Sequence, residues 1–304
     1  MYYNSFSKAM RGKFGRPIYK LSLDSGMTCP NRDGTLGTGG CIFCGDMGAG
    51  EFAEKQTSDI EEQLAKAKNR VSFKTKANTG FIAYFQSFTN TYAPLSYLER
   101  LYMPIAERED ICAISIATRP DCLSQPVVEL LRRINRIKPV FVELGLQTIH
   151  ESTAKLIRRG YTTSIYDDAV MRLKRAGIEV VTHMIIGLPN ETEEMIYETA
   201  EHIARIGSDG IKLHLLYILK ETDLEKMYLN GEYTPLEMDE YIRILAGCIR
   251  RLPKEMVIHR MTGDGAKRDL VAPLWSGDKK RVLAAINDYF EKENVVQGSL
   301  YNLD

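Results

Sequence analysis

The feature that most constrains this chain is one Gly-rich loop, Cys29-Pro-Asn-Arg-Asp-Gly-Thr-Leu-Gly-Thr-Gly-Gly-Cys41-Ile-Phe-Cys44, which gathers three of the six cysteines. Cys-x-x-Cys spacing lets two thiolates reach one metal centre, and the glycines let the backbone fold tightly around it. No fourth ligand follows nearby: the next cysteine is Cys112 and the first histidine is His150. A structural zinc site wants four protein ligands at local spacings. A [4Fe–4S] cube held by three cysteines leaves one iron open to a non-protein ligand, which is useful only if something small is meant to bind there. Cys112, Cys122 and Cys248 share no spacing, lie in apolar surroundings and read as core residues.

Short apolar runs alternate with helical stretches. Residues 18–23, 81–85, 111–117, 140–146, 178–186 and 210–216 read as strands, and Thr234-Pro235-Leu236-Glu237 opens a long helix. This alternation argues an α/β fold, a parallel sheet covered by helices. No Pro/Gly/Ser linker divides the 304 residues, so the expectation is a main unit over residues 1–235 with residues 236–304 as an appended helical extension. Charge is balanced, 40 basic against 40 acidic residues, which excludes a global field for nucleic acid. A local patch is left: residues 1–23 interleave Lys8, Arg11, Lys13, Arg16 and Lys20 with Tyr2, Tyr3, Phe6 and Phe14 and carry no acid. Such an arm could meet phosphates and bases, or pack on the domain. Neither a secretory leader nor an 18-residue apolar run is present, so no membrane is expected, and a reducing cytoplasm suits an oxidisable cluster.

The three-cysteine loop after a first strand resembles that of the radical S-adenosylmethionine (radical SAM) superfamily. Its long gap between the first two cysteines resembles the subgroup containing the radical SAM half of Elongator's catalytic subunit and its stand-alone bacterial relatives. The resemblance implies a partial (β/α)6 TIM-type barrel with a small C-terminal extension. It also implies a [4Fe–4S] cluster on Cys29, Cys41 and Cys44 whose open iron takes the methionine part of SAM. An electron donor such as flavodoxin or ferredoxin would then drive SAM cleavage to a 5′-deoxyadenosyl radical.

In such barrels chemistry sits at the C-terminal ends of strands. By resemblance the SAM-side residues are Phe43 beside the adenine, Gln86 and Ser87 after the second strand, and Glu143 and Gln147 on the fourth. Arg159, His183 and Gly187 complete that set, His183 toward the ribose and Gly187 toward the base. Glu143 and Gln147 share one face of their strand by spacing alone. Lys212, His214 and His259 are substrate-side candidates, either histidine as a proton shuttle. The substrate implied is tRNA, with the C5 side chain of the wobble uridine remodelled, for example carboxymethylaminomethyl-uridine to aminomethyl-uridine. Two alternatives stay open: a radical SAM enzyme for a small metabolite or tetrapyrrole, and a non-catalytic zinc- or RNA-binding module.

Overall fold

The computed structural model describes residues 2–45, 48, 53, 59–263, 265 and 267–302. Strands β1 (Ile18–Leu23), β2 (Gly80–Phe85), β3 (Ile111–Thr118), β4 (Val140–Gln147), β5 (Glu179–Ile186) and β6 (Gly210–Leu215) follow one another in a parallel sheet. Between them run α2 (Ile60–Val71), α3 (Leu95–Glu107), α4 (Gln125–Ile137), α5 (Glu151–Leu156), α6 (Thr163–Arg175) and α7 (Glu193–Arg205). The sheet has seven strands rather than the six expected. The last, β8 (Val257–Arg260), comes from the C-terminal segment and pairs parallel with β6. That segment is therefore not wholly helical. Besides α9 (Met238–Arg251) and α10 (Lys279–Lys292) it supplies β8 and also β9 (Leu270–Ala272), which pairs antiparallel with β7 (Ile218–Leu219). The short helix α8 (Asp223–Leu229) follows β7.

The period of two along each strand decides which way side chains face. Ala83, Phe85, Ile114, Ile116, Val140, Val142, Leu144, Val180, Met184, Ile211 and Leu213 face outward into the main core, beneath the helices. Helix α4 shows why such helices dock: Val127, Val128, Leu130, Leu131 and Ile134 form one buried stripe at helical spacing. The alternate residues face the concave side. Its lowest layer is apolar, with Ile82, Ala113, Phe141 and Val181 clustered around Met10.

Met10 belongs to α1 (Phe6–Phe14), so the N-terminal segment is a plug and not a solvated arm. Ser5 caps α1, and Gly15 closes it at φ 68° with its N–H on Arg11 O. The aromatics expected to meet bases are committed to packing: Tyr2 and Tyr3 lie edge-on to Phe290, while Phe6 and Phe14 join the Met10 cluster. Two of the cations are committed too, Lys13 to Glu179 and Lys20 to Glu143.

Helix α9 starts at Met238, not at Thr234-Pro235. The residues before it are held elsewhere: the Tyr233 hydroxyl donates to Gly187 O at 2.7 Å, and Leu236 packs on Gly187.

Candidate active site

The thiol loop lies over the C-terminal ends of the strands, and its own side chains hold its shape. Arg32 donates to the carbonyls of Cys44 (2.8 Å) and Gly45 (2.7 Å). Gly40 sits at φ 70°, and a Cβ there would stand 3.0 Å from the Arg32 guanidinium, so both conformation and space require glycine. Asn31 Nδ2 donates to Arg158 O at 2.6 Å, Ile42 O accepts from Leu224 N at 2.9 Å, and the loop is thereby strung between α5 and α8.

Burial, then the charge of Cys44, pushes the Cys41 thiol up to about 12, with Cys29 adding to the rise and Arg119 opposing it. A thiol so placed gives up its proton to a metal rather than to water. Among the described residues no three His, Cys, Asp or Glu side chains are gathered closely enough to hold a single metal ion. Cys29 and Cys44 both act electrostatically on Cys41, so the loop brings its three thiols into one neighbourhood, and three thiolates suit a multi-iron cube, whose irons sit at separate corners.

Above the apolar layer the concave face becomes polar. Glu143, with no exposed side-chain surface, is the hub: it accepts from Lys20 Nζ (2.7 Å), Ser115 Oγ (2.6 Å) and His183 Nε2 (2.7 Å), and Lys212 is ion-paired to it. Lys212 also donates to the Tyr84 hydroxyl at 2.8 Å. Burial would raise the Glu143 pKa, but Lys20 and Lys212 overcome it and hold the carboxyl well below its usual range. Burial lowers Lys212 to about 7 against the pull of Glu143. It also lowers His183, with help from Lys212, to about 4. Glu143, expected at the cofactor, thus has both oxygens engaged one layer below the rim.

The rim layer forms a cavity of about 210 Å³ lined by Phe43, Cys44, Gln86, Gln147, His183 and His214, with Ile185. Six residues singled out from the sequence are thus brought together. Three buried polar side-chain atoms among the described residues have no hydrogen-bond partner in the protein: His214 Nε2 at this cavity, Ser87 Oγ just after β2, and His259 Nδ1 at the floor. Each such orphan costs about 1–3 kcal/mol, which at the cavity a ligand bearing donors and acceptors would recover. Thiol donors on one side and an unspent polar atom with an aromatic on the other fit a cluster and SAM.

Besides Ser87, Glu143 and Lys212, three further residues expected at the cofactor or substrate do not line the cavity. Arg159, about 1% exposed, spends its guanidinium on Tyr161 O (2.9 Å), Leu146 O (3.2 Å), Thr148 O, Thr163 Oγ1 and Glu151. It is a clamp between the end of β4 and α5. Arg159→Lys is expected to lower stability by about 2–4 kcal/mol, since an ammonium cannot replace that fork. A thermal melt checks this; weaker SAM binding at unchanged Tm would show instead that the side chain reaches the ligand. Gly187 does turn at φ 90°, and the space a Cβ would take is met by Leu236 at 3.0 Å, so the close approach seen in this structure is Leu236's. His259 lies at the floor between the rings of Phe6 and Phe141, away from the cavity.

Sequence reasoning missed Tyr84, Arg119 and the role of Lys20. Lys20 was findable: Lys20 and Ser22 alternate with Leu21 and Leu23, which places both on the concave face. Arg260 extends from a strand with no clear signature of its own.

Comparisons with known proteins agree with this geometry. A family model described as the radical SAM superfamily matches residues 32–203, and one described as a radical SAM C-terminal domain matches residues 208–292. The uncharacterized protein YtqA of Bacillus subtilis is 42% identical over 299 residues, covering 98% of this chain and 92% of that protein. A tRNA uridine(34) acetyltransferase of Methanocaldococcus jannaschii is 28% identical over 188 residues, 60% of this chain and 33% of that one. Among solved structures, archaeal Elp3 of Methanocaldococcus infernus superposes with a TM-score of 0.69 at 18% identity, over 92% of this chain and 64% of that chain, a likeness of fold.

Proposed function

The chain belongs to the radical SAM superfamily, and we propose that it is a tRNA-modifying member that remodels the C5 side chain of the wobble uridine. Conversion of carboxymethylaminomethyl-uridine to aminomethyl-uridine is the example we favour. When bound, the [4Fe–4S] cluster and SAM of this superfamily supply a 5′-deoxyadenosyl radical that takes a hydrogen atom from a substrate carbon. Cys29, Cys41 and Cys44 would hold the cluster.

The other cavity residues bind and orient. His183 is neutral near pH 7 because its pKa lies at about 4. Glu143 is an acceptor only, so His183 donates through Nε2 and presents Nδ1 as an acceptor for a hydroxyl. Gln147, at φ 64° on the bulged end of β4, and Gln86 offer amide groups to a polar ligand. Phe43 and Ile185 supply the apolar walls that keep water out. Lys212, partly neutral near pH 7, can hold or release a proton at Nζ while Glu143 stays ionised beside it. No helix among the described residues is long and apolar enough to cross a membrane. A flavodoxin or ferredoxin would deliver the electron.

The observation that carries the tRNA reading is the likeness to relatives named for uridine 34 of tRNA. It is tested by mass spectrometry of tRNA nucleosides from a strain lacking the gene. The expected result is loss of the remodelled uridine with accumulation of its precursor, and an unchanged wobble profile refutes the reading. A deuterium label on the precursor's side-chain methylene should appear in 5′-deoxyadenosine.

A further inference from the structure

The seven-stranded sheet is open, with β1 and β8 as its two edges. Between those edges lies a cleft of about 880 Å³, walled by β1, the end of α2, the segment after β8 and the start of α10. Its size is at the upper end of small-molecule sites, roughly 300–1,000 Å³. Its charge is one-sided. Lys20, Arg70, Lys74, Arg260, Lys267 and Lys279 line it, and no described lining residue is acidic, although the whole chain is electrically neutral. Lys20 lies 2.7 Å from Glu143 at the inner end, and Arg70, Lys74, Lys267 and Lys279 are exposed toward the lips. Phe73 is 78% exposed beside them, with the Lys74 ammonium 5.0 Å from its ring centre. A large apolar ring left in water at a cationic lip is the arrangement on which an unstacked base rests while its phosphates meet the cations.

The cleft is also connected. Gln86 and Arg260 line both it and the cavity beside Cys44, so one path leads from the sheet's open edge to the place where SAM chemistry would occur. We propose that this cleft is the docking groove for a single-stranded stretch of RNA: the four lip cations track its phosphates, Phe73 stacks one base, and a neighbouring nucleotide passes Arg260 toward the cavity. The proposal rests on the RNA reading above and moves the contact from the N-terminal arm, whose aromatics are committed to packing, to the open edge of the sheet.

The test is fluorescence anisotropy of the full chain with oligouridine RNA and with an anticodon stem-loop RNA, between about 50 and 200 mM salt, where phosphate contacts dominate affinity. The Arg70→Gln/Lys74→Gln and Lys267→Gln/Lys279→Gln pairs are each expected to weaken binding about tenfold and to reduce the salt slope by about 0.7 per charge removed. Phe73→Ala should weaken it about fivefold or more with the slope unchanged, as loss of stacking does. The pair Arg136→Gln/Lys292→Gln, exposed on α4 and α10 away from the cleft, should bind as the parent does. Circular dichroism melts confirm that every variant is folded. If the parent binds RNA and the cleft variants bind equally well, the groove is overturned while the tRNA reading stands. A parent that binds neither RNA, together with an unchanged nucleoside profile in the deletion strain, removes both.

Discussion

Alanine in place of Cys29, Cys41 or Cys44 is expected to bring 5′-deoxyadenosine formation down to background in anaerobically reconstituted protein. The reason is additive in kind. Each thiol would be one of three protein ligands, and the burial that lifts Cys41 to about 12 leaves its thiolate uncompensated without a metal. The fall should exceed the roughly 10–100-fold typical of changes outside the ligand sphere. Iron content and the cluster's EPR signal should fall with it. The informative control is Cys122→Ala. Cys122 lies close enough to Cys29 for that charge to raise its pKa, though burial raises it more. If Cys122 were a fourth ligand, its loss would match the others. Retention of iron and activity in Cys122→Ala and Cys112→Ala is the outcome required by three-thiol ligation.

The second large effect concerns stability. Glu143→Gln removes the carboxylate that pairs with both Lys20 and Lys212 in the concave face. Breaking a buried pair from one side costs about 3–5 kcal/mol, because the remaining charge stays buried without compensation. For a chain of this size that corresponds to a fall in Tm of roughly 10 °C. A double exchange, Glu143→Gln with Lys212→Met, should recover part of the loss, since one buried ammonium goes with the anion.

The pH profile carries the same information in two windows, with stability rising with pH in both. Glu143 has a folded pKa depressed below its unfolded value of about 4.3, so its contribution is present above that pH and is lost as pH falls through the folded pKa. Lys212 is a base with a folded pKa of about 7. Between that value and its unfolded pKa of about 10.4 the unfolded chain holds a proton the folded chain does not, so stability climbs with pH across that window. Denaturant melts of parent and Lys212→Met should differ in slope there; parallel curves would remove Lys212 from the account.

Much of the site was readable because parallel strands alternate strictly. Glu143 and Gln147, four apart, do share the concave face, and Gln86, His183 and His214 line the same cavity as Gln147. What alternation cannot give is depth. Residues of one face stack in layers, so His259 fell at the floor, Glu143 in the middle and Gln147 at the rim, and only the rim lines the cavity. Arg159 and Gly187 erred differently. Each sits near the right strand end, but Arg159 turns into its own backbone and Gly187 toward Leu236, choices made by neighbours distant in sequence. The seventh strand was hidden for a similar reason: Val257-Ile258-His259-Arg260 is too short to show a period, and only its place beside β6 makes it a strand.

The plug at the floor ties the two ends of the chain to each other. Asn4 N donates to Gln297 Oε1 at 2.7 Å, Gln297 N donates to Tyr2 O at 3.0 Å, and Ile258 N donates to Asn4 O at 2.9 Å. Asn4 and Gln297 stand 293 residues apart in sequence, so the base of the sheet is sealed only by segments made after every strand above it.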